Sequence, residues 1–253
     1  MTIDSPKNSH AMALRSLFAD SFGEGEAFLD DFFNLAYSPS RARVLTESDE
    51  VLSALYWFDC ELCGKKLAYI FAVSTARAER GRGLCSALMN DTHAHLRSLD
   101  YAGALLVPAE QSLFGFYERL GYKAATGIAE ISATASKSAA DLRELSPEEY
   151  LSLREKFLPT GGVKEGIEVI KLLAKGAKLY TGGDFILAAR KSGNELLGIE
   201  LLGNTEKFSD ILASLKCTSG AFRTVGEDRS FSMMLPFTED LPTPTYLGIA
   251  LDI

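Results

Sequence analysis

Apolar and polar positions along the first part of the chain predict two helices followed by three strands. Residues 11–22 and 26–37 carry apolar side chains at helical spacing and are separated by the break "GEG". Residues 41–48, 51–60 and 65–75 are rich in aromatic and β-branched residues, which favours strands. The last of these is apolar on both faces, so we expect a central strand of a sheet.

A glycine-containing turn then leads into a helix and another strand. The stretch "ARAERGRGLCSALMN" ends in a mostly apolar seam at helical spacing, and "GALLVP" (103–108) follows as a buried strand. Next, "SLFGFYERLGYK" predicts a short helix ended by Gly121 and a strand from about 122 to 131. A parallel strand–helix–strand unit beside hairpin strands predicts an α/β fold with a mixed sheet.

The second half repeats this order after a polar linker at 132–141. "SPEEY" is a capping box, with Ser146 as the cap and Glu149 reaching back. The pattern predicts helices at 147–157, 163–175 and 205–215, and strands at 178–180, 184–193, 195–203, 220–225, 230–235 and 245–251. We therefore expect a first domain at 1–135 and a degenerate second copy of the same fold at 136–253.

Charge and composition narrow the function classes. The chain of 253 residues has 26 Lys and Arg against 34 Asp and Glu, a net charge of -8. This excludes a general nucleic-acid or anionic-membrane binder and suits an amine-bearing partner. The first residues lack a secretion signal, the longest apolar run cannot cross a bilayer, and four cysteines make no disulfide framework. We expect a soluble cytoplasmic protein.

The turn at 76–85 has the chemistry of an anion site. Unpaired N–H groups and the helix dipole favour an anion where a helix begins. Gly81 and Gly83 let the backbone curl around a phosphate, and the arginines of the turn add positive charge. The best-matched ligand is a pyrophosphate, because Ser86 replaces the third glycine of a dinucleotide motif and no P-loop lysine follows. A glycine turn with solvated arginines is the alternative.

Two motifs resemble those of the GNAT acetyltransferase superfamily. "RGRGLC", from Arg80 to Cys85, resembles the Arg/Gln-x-x-Gly-x-Gly/Ala loop that binds the pyrophosphate of acetyl-CoA, with Cys85 at the final small position. "FYERLGYK" resembles the Tyr-x-x-x-Gly-Phe signature, with Tyr117 at the tyrosine and Tyr122 at the aromatic position. The resemblance covers about 10–130, and it is strongest to a bacterial subgroup, some of whose members carry an extra C-terminal region.

The resemblance implies acetyl-CoA as cosubstrate and assigns roles to individual residues. Tyr117 would be the general acid that protonates the departing sulfur, although an aromatic residue at helical spacing also fits the core. The loop between the first two helices would line the acceptor site, and of its carboxylates we select Glu26 as a catalytic candidate; a solvated helix start is its alternative. The expected cosubstrate contacts are Val73, Ser74, Thr75, Arg80, Gly81, Arg82, Gly83, Leu84 and Cys85.

Other motifs carry weaker signals. Cys60 and Cys63 have the spacing of a redox pair or half a zinc site, but no second pair exists. His93 and His95 lie two apart in a helix and point in different directions, so we expect no metal. The turn "LLGNTEKF" of the second half has one glycine and no arginine, which predicts one acetyl-CoA per chain. The second half would pack on the first domain or on a second subunit, which leaves a homodimer open.

The function predicted from the sequence is an N-acetyltransferase. It would transfer the acetyl group of acetyl-CoA to a primary amine of a small molecule or a peptide. A non-catalytic protein that binds or senses acyl-CoA would keep the glycine turn without needing Tyr117. A structural partner protein, with its C-terminal half as the working surface, would need neither.

Overall fold

A computed structural model describes residues 1–249 and 251. These residues form two compact units, one of residues 1–123 and 233–242 and the other of 124–232 with the described part of 243–251. The first unit therefore runs to residue 123 and takes in a later segment, 233–242. The domain boundary expected at residue 135 stays a prediction.

The first unit is built on a mixed sheet in the order β1-β2-β3-β4-β5. Neighbouring strands are antiparallel except β4 and β5, which are parallel. The helices and strands predicted up to residue 118 are all present, and the short strand β1 was not predicted. The elements are β1 Thr2–Asp4, α1 Ala11–Phe22, α2 Glu26–Leu35, β2 Ala42–Glu47, β3 Glu50–Leu62, β4 Lys65–Thr75, α3 Leu84–Ser98, β5 Gly103–Leu106 and α4 Phe114–Glu118.

Both faces of β4 are buried, as its sequence predicted. On one face, Phe71 contacts Phe18 of α1 and Phe32 of α2, with ring centroids 6.1 and 5.6 Å apart. On the other face, Ile70 belongs to a core cluster that also contains Trp57 and Leu88. Burial on both sides requires a continuously apolar strand, which is the pattern of residues 67–73.

A segment from late in the chain completes the first unit. Met233–Pro236 pairs antiparallel with Gly103–Leu106 along the edge of β5. An unpaired edge of a short apolar strand would expose backbone N–H and C=O groups and invite aggregation. This pairing explains why the first unit is not a continuous stretch of sequence.

The second unit repeats the element order of the first. Its sheet runs β7-β9-β10-β11-β12, with β6 beside β12, and the parallel pair β11 and β12 encloses a helix as β4 and β5 do. The capping box at Ser146 is confirmed by its two hydrogen bonds with Glu149. The elements are β6 Lys123–Thr134, β7 Arg143–Glu144, α5 Pro147–Phe157, β8 Lys164–Glu165, α6 Ile167–Gly176, β9 Lys178–Thr181, β10 Phe185–Ser192, β11 Glu195–Gly203, α7 Phe208–Ser214 and β12 Ser219–Pro236.

Three predictions for this half were wrong in detail. The helix expected from 163 begins at Ile167, after Gly166. The strands expected at 220–225 and 230–235 are one strand, because β6 pairs with β12 and supports its polar middle. In the strand expected at 245–251, Tyr246 makes one bridge to Gly162, residues 245–249 form no strand, and Ala250 lies outside the described residues.

A buried ionic cluster lies inside the second unit. Arg154 of α5 donates two hydrogen bonds to Glu200, at 2.8 and 3.0 Å, and its Nη1 lies 2.5 Å from Oε2 of Glu165. Tyr150 donates to Glu200 at 2.8 Å, and the hydroxyl of Tyr246 is buried in the same region. Burial raises the pKa of Glu165 to about 7; the nearby Arg154 opposes this shift and Glu200 adds to it. One guanidinium thus faces two carboxylates, and the raised pKa of Glu165 leaves this carboxyl largely protonated below about pH 7.

The natural protein should lose stability as the pH rises, because of Glu165. We predict that this loss is absent in Glu165→Gln. A carboxyl whose pKa is raised on folding stabilises the folded state at low pH, and this contribution is lost between the unfolded value near 4.5 and about 7. At pH 8 the variant should therefore be more stable than the natural protein by about 3 kcal/mol, and at pH 5 the difference should shrink to about 1 kcal/mol. Thermal unfolding followed at both pH values checks this.

Glu155→Gln is the matched control, because Glu155 lies on α5 and is exposed. Its pH profile should follow that of the natural protein. An unchanged pH profile in Glu165→Gln would show that Glu165 is ionised in the folded unit throughout this range.

Candidate functional site

Strand β4 carries a bulge between Phe71 and Ser74, close to its last pair with β3. Tyr56 is paired with Phe71 and Ala54 with Ser74, so β4 has one residue more than β3 in this interval. Ala72 takes up the extra length in a left-handed conformation, with φ of 48°. Such a bulge increases the local twist and bends the strand.

The pairing of β4 with β5 ends before this bulge. The parallel pairs run from Leu67 and Gly103 to Tyr69 and Leu105, and none between these strands follows in the described residues. β5 ends at Leu106, whereas β4 continues to Thr75. The backbone of Ile70–Thr75 therefore has an edge that β5 does not pair. Val73, Ser74 and Thr75, predicted as cosubstrate contacts, all lie on this segment.

The turn after β4 is open and left-handed at its glycines. Gly81 and Gly83 have φ of 78° and 76°, and a Cβ built on either would meet no atom within 4 Å. Gly83 is the N-cap of α3, so the free N–H groups of the first helical turn begin at Leu84 and Cys85. This turn offers backbone donors and space to an anion, as the sequence predicted.

The arginines of the turn differ in their partners. Arg80 donates from Nε to the Thr75 carbonyl at 3.1 Å, which ties the turn to the end of β4. Arg82 is ion-paired with Glu79. Arg77 is exposed and lines a cavity beside the turn. The positive charge of Arg82 is thus partly neutralised, while Arg80 is held in place with its terminal nitrogens directed at no acceptor among the described side chains.

Tyr117 is nearly buried on α4, with 9% of its surface exposed. Its ring packs against those of Phe116 and Tyr122, with centroids 5.1 and 5.8 Å away. Within the described residues no hydrogen bond to its hydroxyl forms. Burial, with a smaller contribution from the adjacent Cys85, raises the pKa of Tyr117 well above its ordinary value. The phenol is therefore neutral, unpaired and able to donate.

Cys85 lies near Tyr117 at the start of α3. It is half-buried and packs against the core cluster that contains Tyr117 and Leu84. Burial raises the pKa of its thiol to about 11. The thiol is protonated at neutral pH, so it fills space without competing as a nucleophile.

Glu26 lies at the exposed start of α2 and is paired with α1. Its Oε2 accepts from Arg15 at 2.6 Å, and Asp30 accepts from the same guanidinium at 2.7 Å. These bonds raise the pKa of Arg15 and fasten the two helices together. Glu26 therefore has a structural partner, and its catalytic role stays a prediction.

A cavity of about 410 Å³ lies between α1 and the residues that follow β4. It is lined by Leu17, Asp20, Ser21, Ala76 and Arg77. Ala76 is the first residue after β4, so this space adjoins the glycine turn. Asp20 gives it a carboxylate that suits a cationic group.

The corresponding turn in the second unit is closed. A Cβ on Gly203 would lie 2.4 Å from the Asp184 carbonyl and 2.9 Å from the ring of Phe157. The side chain of Asn204 accepts from the Glu206 N–H, and Thr224 spans the gap between β11 and β12 by donating to the Leu201 carbonyl at 2.8 Å. The space at Gly203 and the Glu206 N–H are thus taken up by the protein itself, and a side-chain hydrogen bond joins the two strands.

Of the histidines and cysteines noted in the sequence, His93 has a hydrogen-bond partner, and Cys60 and Cys63 differ in burial. His93 is buried, its Nε2 lies 2.9 Å from the Tyr122 hydroxyl, and burial lowers its pKa to about 4. Cys60 is buried and Cys63 is exposed at a hairpin turn. Within residues 1–249 and 251, no group of three or more His, Cys, Asp or Glu side chains is arranged to hold a metal ion. The helices of this part of the chain are all too short or too polar to span a bilayer.

Ser53 was not among the site residues predicted from the sequence. It is fully buried on β3, and its hydroxyl contacts the last two residues of β4. A single serine within the apolar run of residues 51–58 is a weak signal. It becomes informative only when the register places it opposite Thr75.

Comparisons with known proteins agree with this geometry. The model of the acetyltransferase (GNAT) domain family matches residues 2–125. No curated protein sequence matches the chain significantly.

Solved structures share the fold at low sequence identity. A GCN5-related N-acetyltransferase from Kribbella flavida has 17% identity and a TM-score of 0.70 over 92% of this chain and 70% of that chain. One from Anabaena variabilis has 14% identity and a TM-score of 0.69 over 92% and 72%. Eis1 from Mycobacterium abscessus has 14% identity and a TM-score of 0.66 over 97% and 69%.

These matches extend over both halves of the chain, whereas the family model is confined to the part that contains the open turn and Tyr117. The fold class is thus an α/β fold with a mixed sheet, in which an N-terminal GNAT fold is followed by a second half. Through its domain at residues 2–125, the chain belongs to the GNAT acetyltransferase family.

Proposed function

We propose that the protein is an acetyl-CoA-dependent N-acetyltransferase that acylates a primary amine of a small molecule or a peptide. The observation that carries this proposal is the edge of Ile70–Thr75 that β5 leaves unpaired, which leads to the left-handed glycine turn before α3. An extended thioester with a pyrophosphate at one end matches an unpaired strand edge that is followed by free helix-start N–H groups. The second unit, whose turn is closed, would bind none.

The pyrophosphate would lie on the N–H groups from Arg82 to Cys85. Gly81 and Gly83 keep this side of the backbone free of side chains, and Arg80 is fixed close by through the Thr75 carbonyl. Arg82 shares its charge with Glu79 and would contribute less. Leu84 is buried in the core, so it would contribute its backbone N–H rather than its side chain.

The thioester would lie along Val73, Ser74 and Thr75. A neutral amine attacks the carbonyl carbon, a C–N bond forms, and negative charge develops on the carbonyl oxygen. N–H groups at the free edge of β4 would stabilise that oxygen. When the C–S bond breaks, the neutral Tyr117 hydroxyl would donate to the departing sulfur, and its lack of any other partner leaves it available.

The acceptor amine would enter from the side of α1 and α2. The cavity beside Ala76 carries Asp20, and Glu26 lies exposed at the start of α2. Either carboxylate would attract an ammonium group and take up or relay its proton. For Glu26 to act so, its bond to Arg15 must open, which a cationic substrate could favour by replacing the guanidinium.

We predict that Gly83→Val weakens acetyl-CoA binding by about 30-fold or more. The valine would strain a left-handed position and place a branched side chain where phosphate oxygens approach. Calorimetric titration with acetyl-CoA measures the effect.

Gly193→Val is the matched control for backbone strain. Gly193 also has positive φ, 57°, and open space around it, but lies in the turn between β10 and β11. It should leave acetyl-CoA affinity unchanged. Equal affinities of Gly83→Val, Gly193→Val and the natural protein would place the pyrophosphate elsewhere.

We predict that Tyr117→Phe lowers kcat by about 10- to 1000-fold while acetyl-CoA binding changes little. The change keeps the ring and removes only the proton donor. The assay follows release of the free thiol of CoA in the presence of a panel of amines, which also identifies the acceptor.

Tyr122→Phe is the matched control, since its hydroxyl is bonded to buried His93 rather than left unpaired. It should lose stability and retain its rate. Full turnover by Tyr117→Phe would show that Tyr117 packs in the core and is not the general acid. Binding of acetyl-CoA without thiol release for any amine would instead favour a non-catalytic acyl-CoA sensor.

A further inference from the structure

A buried hydroxyl group on the neighbouring strand β3 makes hydrogen bonds to the end of β4. Ser53 of β3 is fully buried, and its Oγ lies 2.6 Å from the Ser74 carbonyl oxygen and 2.8 Å from Oγ1 of Thr75. A serine hydroxyl has one proton, and only that proton can bond a carbonyl oxygen. The proton of Ser53 therefore goes to the Ser74 carbonyl, and Thr75 must donate its own proton to Ser53.

This bond reinforces the direction of a backbone donor. The Ser74 carbonyl and the Thr75 N–H belong to one planar trans peptide, so they point in opposite directions. The ladder pairs Ser74 with Ala54, which turns the Ser74 carbonyl toward β3, and Ser53 adds a second bond that holds it there. The Thr75 N–H is therefore directed away from β3. That side is the edge of β4 that β5 leaves unpaired beyond Tyr69.

The next peptide group, between Thr75 and Ala76, is held by two hydrogen bonds. Arg80 donates from Nε to the Thr75 carbonyl at 3.1 Å, and the Ala76 N–H donates to the Leu52 carbonyl at 2.9 Å. Ser53 and Arg80 together hold the last two carbonyls of β4. The Thr75 hydroxyl donates its proton to Ser53, so only its oxygen lone pairs remain for a ligand.

We propose that Ser53 is a positioning residue of the acyl-CoA site, which acts by holding the Thr75 N–H toward an amide carbonyl of the pantetheine arm. The inference rests on the proposed function. It assigns Ser53 no contact with the cosubstrate, and it places the effect on the pantetheine arm rather than on the nucleotide end.

The test compares Ser53→Ala with Ser232→Ala. Ser232 is equally buried, and its hydroxyl lies 2.7 Å from that of Thr126 in the second unit, so its loss removes a similar bond away from β4. Ser53→Ala should raise the Kd of CoA and the KM for acetyl-CoA by about tenfold, with kcat changed by less than about threefold. Ser232→Ala should change neither.

A ligand that lacks the arm separates positioning from general damage. Adenosine 3′,5′-bisphosphate has no pantetheine, so Ser53→Ala should bind it as the natural protein does. Should Ser53→Ala fail to fold, Ser53→Cys keeps the volume and offers only a weak S–H donor, and the same split between the two ligands is expected.

The outcomes distinguish this inference from the proposed function. If the natural protein binds CoA and Ser53→Ala binds it equally well, the positioning role is wrong and the function stands. An equal loss of CoA and adenosine 3′,5′-bisphosphate would also overturn it, because the whole turn would then be disturbed. No binding of CoA by the natural protein would contradict both.

Discussion

The candidate site depends on the conformation of one residue in β4. Ala72 is left-handed without being glycine, which costs about 1 kcal/mol or more and persists only where the surroundings enforce it. Phe71 on one side is held among the aromatic rings of α1 and α2, and Val73 on the other packs against the core beneath α3. These contacts hold the bulge, and the bulge bends and twists the end of β4. The edge of this bent segment is not paired by β5 and leads to the glycine turn.

The two units show what this opening requires, because they share an element order and differ at the turn. The first unit has glycines with open space, a tyrosine hydroxyl without a hydrogen bond among the described residues, and an edge of β4 that β5 does not pair. In the second, Gly203 is enclosed by neighbouring atoms, Asn204 occupies a helix-start N–H, and Thr224 bridges the strands. The same element order thus leaves the turn open in one unit and closed in the other.

Much of this arrangement follows from local sequence signals. The apolar pattern of residues 67–73 predicted a central strand, "RGRGLC" predicted the turn, and Ser146 with Glu149 predicted a helix start, because each signal depends on neighbouring residues. Ala72 could not be predicted, since alanine carries no preference for positive φ. The pairing of β5 with Met233–Pro236 joins residues that are far apart in the sequence. The same holds for the cluster of Arg154 with Glu165 and Glu200. Ser53 matters only through the register that sets it opposite Thr75.

The central claim is that the open turn of the first unit, and not its closed counterpart, binds the cosubstrate. Calorimetric titration of the full chain with acetyl-CoA tests it most directly, because the number of sites is read independently of the acceptor amine. The account predicts one acetyl-CoA per chain, bound about 30-fold or more weakly in Gly83→Val. A stoichiometry of two, or one site that persists unchanged in that variant, would contradict it.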